Sequence, residues 1–400
     1  MKVQIKISLL IGILLYSAYS VYAQVPKIIG MLVEQPILTG ICGGFGFTQA
    51  TALNLAANEI GASSLDLTDS GLGWYATLGF DDGGAEDRWL AYGITGDTLS
   101  KTASRLIFSG AVSEPSVRAI LLVQPGGTNI TVAYRFNSTG CTTGGTCQRY
   151  FRYTSTLADI SNNTFADFNS QTDVGHATKS TDGVYYHVYS TSTGGVGQIF
   201  RAINFTSGLD VISVQKNTTL TAVPNNITVG GTNKLYADVG ADQRIYEVNQ
   251  SNLLINRSLF IGQTPGYVAA NDTITYIDQT TGGARLCRLV ISSFASCSHA
   301  YTWTGSDSSA TSTIFVDSLN NKVYVLRNNG TTVDIIIRLR ASDLVFEARA
   351  AITGGVNNLI ISAESAKFHT VTQRITWIGS GGAGIPAQVN SIRTCTNIIG

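Results

Sequence analysis

The chain has 400 residues with 26 basic and 26 acidic residues, and only 13% of its residues are charged. This balance does not favour nucleic acid or an anionic membrane surface as a partner. The 42 glycines and the many Thr, Val, Ile and Tyr residues favour strands and turns over helices. We therefore expect an all-β protein.

Residues 1–23 are predicted to form a secretory signal peptide. Lys2 and Lys6 precede an apolar run from Ile7 to Tyr16, and Ala23 lies where a signal peptidase would cut. The alternative is a membrane anchor, but a spanning helix needs about twenty apolar residues. No later segment is apolar enough to span a membrane, so we expect a secreted protein.

The region after the signal is the least regular part of the sequence. Lys27 to Val33 is an apolar segment that favours a strand. Between Gly40 and Gly84 the pattern is indistinct. There, Ala52 to Ile60 is compatible with a short helix or with an irregular group of strands.

One acidic segment is a candidate calcium site. Carboxylate oxygens suit calcium, but the spacing does not match the D-x-D-x-D-G loop, and a solvated acidic turn explains the segment as well. A weaker candidate lies at Asp66 and Asp69. We predict no other cofactor. The four carboxylates of the main candidate are Asp81, Asp82, Glu86 and Asp87.

Short apolar strands recur at spacings of roughly 48 residues, which is typical of propeller blades. Each is expected to hold the same place in its own blade. Repeated structure with diverged sequence suits units that only need to bury one another. The recurring strands are Trp89 to Tyr92, Ile130 to Phe136, Val184 to Tyr189, Lys234 to Ala237, Thr273 to Ile277, Lys322 to Leu326 and Arg374 to Ile378.

The clearest unit runs from Ile314 to Gly355 and predicts four strands separated by turns rich in Asn, Asp, Ser and Gly. Its core, Asn321 to Val325 (Asn-Lys-Val-Tyr-Val), resembles the YVTN-type β-propeller repeat, and the resemblance implies a fold only. The four predicted strands are Ile314 to Asp317, Lys322 to Leu326, Val333 to Leu339 and Leu344 to Ala350.

The repeats predict a single β-propeller over residues 24–394 with about seven four-stranded blades, and six to eight remain open. After Arg374 to Ile378 comes one further strand, Ala387 to Ile392, so the last repeat stops one strand short. Lys27 to Val33 would supply the missing strand. We therefore expect the N- and C-terminal strands to close the ring.

Six cysteines follow the signal, and an oxidising compartment makes disulfides the default. Spacing alone does not decide among the fifteen possible sets of pairs. Two pairs are close enough in sequence to bond locally, and that choice would leave one distant pair to support ring closure. In the alternative, Cys395 begins a cysteine-rich module in residues 395–400 that is truncated at Gly400. The expected pairs are Cys141 with Cys147, Cys287 with Cys297, and Cys42 with Cys395.

The chain contains ten Asn-x-Ser/Thr sequons, none with proline at the middle position. Most lie in predicted turns or at strand ends, and a glycan can only lie on the surface. We expect a glycoprotein, with Asn249, Asn256 and Asn329 among the modified sites. The sequons are Asn129, Asn137, Asn162, Asn204, Asn217, Asn226, Asn249, Asn256, Asn271 and Asn329.

Other residue patterns give little support to catalysis. Gly379-x-Gly381-x-x-Gly384 matches a dinucleotide motif, but Pro386 follows where a helix would begin. A metal on the propeller axis is one interpretation of the four histidines, and ordinary positions are the other. Tyr185, Tyr236, Tyr276, Tyr324 and Trp377 are expected to pack between blades. The histidines are His176, His187, His299 and His369.

Two functions remain open from the sequence. We expect a non-enzymatic extracellular propeller that binds a protein or glycan, for adhesion or as a structural component. The alternative is an extracellular metal-dependent hydrolase or lactonase-like enzyme. Oligomeric state and ligand identity do not follow from these patterns, because one propeller fold hosts many functions.

Overall fold

The structure is a computed structural model, and its described residues all belong to one compact unit, Cys42–Gly400. The described residues are 47–49, 53–57, 59–81, 86–95, 99–108, 119–124, 129–137, 146–165, 174–179, 184–190, 197–205, 208–213, 220, 222, 224, 226–230, 234–261, 267–270, 273–278, 285–295, 297–303, 313–328, 333–352, 365–379 and 387–394.

Within these residues the strands form six four-stranded sheets and one five-stranded sheet. Two short strands come first, β1 (Phe47–Gln49) and β2 (Leu53–Asn54). The next four sheets are sheet 1 with β3 (Glu59–Leu67), β4 (Gly73–Asp81), β5 (Glu86–Thr95) and β6 (Leu99–Phe108); sheet 2 with β7 (Ala119–Val123), β8 (Ile130–Asn137), β9 (Thr146–Tyr153) and β10 (Asp159–Phe165); sheet 3 with β11 (Val174–Lys179), β12 (Val184–Ser190), β13 (Gly197–Phe205) and β14 (Gly208–Ser213); and sheet 4 with β15 (Asn226–Val229), β16 (Lys234–Val239), β17 (Arg244–Asn249) and β18 (Ile255–Phe260).

The remaining strands complete the set in chain order. They form sheet 5 with β19 (Tyr267–Ala270), β20 (Thr273–Asp278), β21 (Arg285–Val290) and β22 (His299–Thr302); sheet 6 with β23 (Thr313–Asp317), β24 (Lys322–Asn328), β25 (Val333–Arg340) and β26 (Phe346–Ala351); and sheet 7 with β27 (Ala366–His369), β28 (Arg374–Gly379) and β29 (Gln388–Thr394), to which β1 and β2 are added.

Each sheet is an antiparallel meander whose first strand contacts the first strand of the next sheet. The contacting pairs are β3 and β7, β7 and β11, β11 and β15, β15 and β19, β19 and β23, β23 and β27, and β27 and β3. First strands packed side by side, with later strands in order behind them, are typical of a β-propeller. The fold is therefore an all-β propeller with mostly four-stranded blades.

The last sheet combines strands from distant parts of the chain. One edge of β29 pairs with β28, and the other pairs with β1 and β2. In this register Phe47 lies opposite Thr394 and Leu53 lies opposite Val389. The predicted partner strand, Lys27 to Val33, lies outside the described residues, and the N-terminal strands beside β29 are β1 and β2.

The hydrophobic core lies between neighbouring sheets. Between sheets 7 and 1, the fully buried Trp74 belongs to the same cluster as Ile378. Tyr236 packs with Tyr276 between sheets 4 and 5, and Tyr324 packs with Trp377 between sheets 6 and 7. Tyr236, Tyr276, Tyr324 and Trp377 are at most 2% exposed, so these four residues pack between blades as expected. The side chain of Tyr185 is not among those that the structure describes.

Side-chain hydrogen bonds also join sheet 1 to sheet 2. Ser64 Oγ accepts a hydrogen bond from the Leu121 amide at 3.0 Å, and Asp66 Oδ2 accepts one from the Val123 amide at 2.8 Å. Both acceptors lie on β3, and both amides belong to β7. Among the described residues, β7 pairs with β8 on one side only. The two side chains therefore accept hydrogen bonds from backbone amides on the other side of β7.

The turns between the third and fourth strands share a geometry that the sequence analysis missed. In four sheets this turn contains a serine, then any residue, then an apolar residue. The apolar residue has a positive φ between 45° and 63° and is at most 8% exposed. A left-handed backbone is unfavourable for residues other than Gly, Asn and Asp, so buried packing must offset its cost. The four residues are Leu157, Leu253, Phe294 and Leu344.

The predicted unit from Ile314 onward has its four strands, with one boundary corrected. Leu344 belongs to the preceding turn instead of the last strand, which begins at Phe346. The prediction for Trp89 to Tyr92 was wrong in position, because this segment lies in β5, the third strand of its sheet. The second strand is β4, and its glycines weakened the apolar pattern.

The helix considered for Ala52 to Ile60 was also wrong for the described part of that segment. Leu53 and Asn54 form β2, and β3 begins at Glu59. Hydrogen bonds from the Leu55 amide to the Ala387 carbonyl and from the Ala387 amide to the Glu59 carbonyl hold this part of the chain against the last sheet. Tertiary pairing outweighs the local helical propensity of Ala and Leu here.

Candidate binding surface

The acidic segment proposed for calcium forms part of the hairpin between β4 and β5. Asp81 lies at the end of β4, where its backbone pairs with Glu86, and Asp87 pairs with Phe80; Asp82 lies outside the described residues. Among the described residues, no group of three or more His, Cys, Asp or Glu side chains is arranged to hold a metal ion. Calcium binding at these carboxylates stays a prediction.

The weaker acidic candidate is not brought together as a metal site. The Asp66 carboxylate accepts hydrogen bonds from the Leu67 amide at 3.0 Å and the Val123 amide at 2.8 Å. Asp66 is 5% exposed, whereas Asp69 is exposed in the following turn. The buried carboxylate therefore serves backbone donors between two sheets.

The four histidines occupy different strands of three sheets. His176 lies on the first strand of sheet 3 and His187 on its second strand. His299 is exposed on β22, the fourth strand of sheet 5, and His369 ends β27 in sheet 7. A fourth strand is farthest from the propeller axis, so His299 does not fit the hypothesis of an axial metal.

One disulfide lies within the described residues. Cys287 on β21 is bonded to Cys297 in the turn before β22, with 5.0 Å between the Cα atoms. Cys147 lies on β9, whereas Cys42, Cys141 and Cys395 lie outside the described residues. The other two pairings remain predictions.

The sequons differ in exposure. Asn256 is exposed on β18, whereas Asn226 on β15 is 7% exposed. Asn129 and Asn249 are half-buried. Asn137, Asn162 and Asn204 lie on described strands whose side chains there are not described, and Asn217, Asn271 and Asn329 lie outside the described residues.

A charged cluster in the described part of the chain surrounds Glu247. Lys234 Nζ donates to Glu247 Oε2 at 3.2 Å, and Arg257 donates through Nε and Nη2 at 3.1 and 2.7 Å. Burial of Glu247 raises its pKa, but these hydrogen bonds and charges outweigh burial, so its pKa lies below the usual value. A carboxylate held by two cations stays ionised and is poorly suited to accept a proton near neutral pH.

Arg257 also connects this cluster to the neighbouring sheet. Its guanidinium lies 4.3 Å from the centre of the Phe294 ring, and Nη1 donates to the Ser292 carbonyl at 3.5 Å. Phe294 and Ser292 belong to the turn before β22. The cluster therefore holds sheets 4 and 5 together, and we interpret it as structural.

Three turns in sheets 6, 7 and 1 form an exposed feature that is supported by a hydrogen-bond network. We call residues 318–321, 370–373 and 68–72 the turn surface. Each turn joins the first and second strands of its sheet, and the first strands of these sheets contact one another. The three turns therefore lie side by side at one end of the propeller.

The first two turns are joined through a buried carboxylate. Asp317 accepts hydrogen bonds from the Asn320 amide at 3.2 Å and from Asn320 Nδ2 at 2.7 Å, which fixes the turn of sheet 6. Gln373 Nε2 donates to Asp317 Oδ2 at 2.8 Å across the boundary between the sheets. Asp317 is fully buried, so its hydrogen bonds hold both turns in a fixed position.

The second and third turns are joined through His369. Its Nε2 atom lies 2.7 Å from the Asp69 carbonyl oxygen, and its ring packs against Gly71. Gly71 has φ +65°, and a Cβ added there would lie 2.2 Å from His369 Nδ1. Glycine is therefore required at this position both for backbone conformation and for space.

Each of the three turns presents one exposed aliphatic side chain. Leu319 is 75% exposed, Val371 is 52% exposed and Leu72 is 47% exposed. Three exposed aliphatic side chains on adjacent turns make this end of the propeller a candidate interaction surface. The joint position of the three turns had no sequence signal, because they are distant in the chain.

No helix among the described residues is long and apolar enough to cross a membrane. The sheets and their contacts define a protein built from propeller repeats. No protein-family model matches this sequence, and no curated protein matches it either.

Comparison with solved structures agrees with this fold. A structure titled "Streptogramin B lyase structure" has a TM-score of 0.51 and 12% identity, covering 86% of this chain and 97% of that chain. The structure of Saccharomyces cerevisiae Sqt1 has a TM-score of 0.48 and 8% identity, covering 85% and 87% of the two chains. Identities this low show the fold alone.

Proposed function

We propose that this protein is a secreted, glycosylated β-propeller that binds an extracellular protein or glycan through the turn surface, in an adhesive or structural role. The observation that carries the proposal is the exposure of Leu72, Leu319 and Val371 on three adjacent turns held by Asp317 and His369. Their apolar surface, on turns fixed before binding, would lose little conformational freedom on contact with a partner.

Three features support the extracellular location. Residues 1–23 have the pattern of a signal peptide. Cys287 and Cys297 form a disulfide, and such bonds persist in oxidising compartments. The Asn256 sequon is exposed, as glycosylation requires.

We further propose that the propeller is a ring of seven blades closed by N- and C-terminal strands. The contact of β27 with β3 supports closure, as does the pairing of β1 and β2 with β29. The apolar cluster shared by Trp74, Ile378 and Val389 would seal the boundary between the first and last blades.

The alternative is an extracellular metal-dependent enzyme of the hydrolase or lactonase-like class. A fold shared with a streptogramin B lyase structure is compatible with it, but that likeness is one of fold. Calcium bound by Asp81, Asp82, Glu86 and Asp87 would either take part in this alternative activity or stabilise the loop. Tightly held divalent metal in the purified protein would favour the enzyme.

The binding proposal is tested by removing the apolar groups of the turn surface. The secreted protein and the variant Leu72→Ser/Leu319→Ser/Val371→Ser are applied to arrays of extracellular matrix proteins and glycans. We expect wild-type binding and a loss of about tenfold or more in the variant, because the three serines remove apolar area that a bound partner would bury.

A matched control carries Leu254→Ser and Phe260→Ser, two exposed apolar residues of sheet 4 that are 63% and 49% exposed. This variant should bind as the wild type does. Equal binding by the turn-surface variant and the wild type would overturn the assignment of the surface. Absence of wild-type binding to every arrayed protein and glycan would count against the binding function itself.

A further inference from the structure

The histidine that supports the turn surface has both ring nitrogens engaged by neutral groups. His369 Nε2 contacts the Asp69 carbonyl oxygen at 2.7 Å. His369 Nδ1 lies 3.2 Å from the Thr372 amide nitrogen and 3.1 Å from Thr372 Oγ1. The ring therefore joins the turn of its own sheet to the turn of sheet 1.

These partners determine the tautomer. A carbonyl oxygen can only accept, so Nε2 carries a proton and donates it to Asp69. An amide can only donate, so Nδ1 is unprotonated and accepts the hydrogen bond from Thr372. The arrangement thus requires a neutral imidazole.

A second proton on the ring would disturb only one of the two connections. Protonated Nδ1 could donate to the Thr372 hydroxyl but could no longer accept from the Thr372 amide. Thr372 is 3% exposed, so water cannot readily replace the lost acceptor. The bond to Asp69 would persist, since Nε2 already donates there.

The elements packed around His369 carry several charged groups, some of which are held by other partners. Glu59 forms an ion pair with Lys101, Asp66 accepts from backbone amides, and Asp317 accepts from Asn320 and Gln373. The described charged residues on these elements are Glu59 and Asp66 on β3, Asp69 in the next turn, Asp317 on β23, Lys367 on β27 and Arg374 on β28.

We infer that His369 makes the turn surface sensitive to pH: protonation of its ring loosens the turn that bears Val371 and weakens partner binding. Histidine is the side chain that ordinarily changes charge between about pH 5 and pH 8. The neutral ring supports the turn at higher pH, and the support is lost as the pH falls. The weakening of binding rests on the proposed function, whereas the loosening of the turn does not.

The loosening is measured without any partner, by hydrogen exchange of the peptide that contains Thr372 at pH 7.5 and pH 5.5. After correction for the intrinsic pH dependence of exchange, the protection of this amide should fall by about tenfold at the lower pH, because a buried donor loses its acceptor. In His369→Gln, which cannot titrate, protection should be the same at both pH values. His299→Gln removes an exposed histidine and should keep the wild-type response.

Unchanged protection of the wild-type amide across this range would overturn the inference. So would a wild-type response in His369→Gln, since another group would then be responsible. Binding to the arrayed partners is measured separately at both pH values. A pH-dependent turn in a protein that binds nothing would contradict the proposed function while supporting the pH-sensitive turn.

Discussion

Asn226 and Asn256 are each the asparagine of a glycosylation sequon, but they differ in exposure. Asn226 is 7% exposed, and its Oδ1 accepts a hydrogen bond from the Ile227 amide at 2.8 Å. Asn256 is exposed, and its Nδ2 donates to Glu247 Oε1 at 3.3 Å. A glycosylated amide keeps one N–H, so a glycan on Asn256 is compatible with this contact.

We therefore expect a glycan at Asn256 and none at Asn226 in protein secreted from its native source. Release of glycans by glycosidase in heavy-oxygen water, followed by mass spectrometry, marks the modified sites. Asn249 is half-buried, and its Oδ1 accepts from the Ser251 amide and hydroxyl at 2.8 and 2.6 Å; we expect modification there as well. An occupied Asn226 would be incompatible with the packing of β15.

At the scale of elements, the turns between third and fourth strands repeat one structural solution. The Leu253 amide donates to the Asn249 carbonyl at 2.9 Å, and the Leu344 amide donates to the Arg340 carbonyl at 2.8 Å. Both leucines have φ 57° and lie in the core between or beside sheets. Burial of the side chain stabilises a backbone that leucine would otherwise avoid.

Leu253 and Leu254 provide a matched test of this interpretation. Leu253 is 1% exposed and Leu254 is 63% exposed. We expect Leu253→Ala to lower the free energy of unfolding by about 2 to 4 kcal/mol, because it leaves a cavity. Leu254→Ala should change it by less than about 0.5 kcal/mol.

Denaturant unfolding of both variants measures the difference. Equal losses of stability would show that the left-handed leucine is not anchored by burial. If only Leu253→Ala loses stability, we expect the same loss when Leu157 or Leu344 is changed to Ala. These two residues hold equivalent positions and are 3% and 2% exposed.

At the scale of the whole molecule, the boundary between the first and last sheets is where a ring would open. Phe47 pairs with Thr394, so Cys395 directly follows a paired residue, and only a short segment separates Cys42 from Phe47. We expect Cys42 to bond Cys395. In the chain-entropy model, a cross-link over so long a loop contributes about 6 kcal/mol.

Peptide mapping without reduction tests this pairing. A peptide that joins Cys42 to Cys395 is the expected product. Recovery of Cys42 with Cys141 or Cys147, or as a free thiol, would contradict it and favour a separate module beginning at Cys395. The bonded pair of Cys287 and Cys297 serves as an internal control for the mapping.

Much of the fold followed from local pattern, and the errors arose where local pattern was weak. Lys322 to Leu326 was recognisable because a short run of β-branched, aromatic and aliphatic residues lies between two Asn-rich turns. Trp89 to Tyr92 was given the wrong place because the glycines of β4 obscured the strand before it. Leu344 was assigned to a strand because sequence rules do not expect a buried leucine with positive φ.

Local patterns were enough to indicate an all-β repeat protein, because strand propensity and turn chemistry act over a few residues. Which segments meet depends instead on the tertiary structure. His369 and Asp69 are 300 residues apart in the chain, yet they share a hydrogen bond. Such contacts depend on the packing of sheets around the axis, and no local pattern encodes that packing.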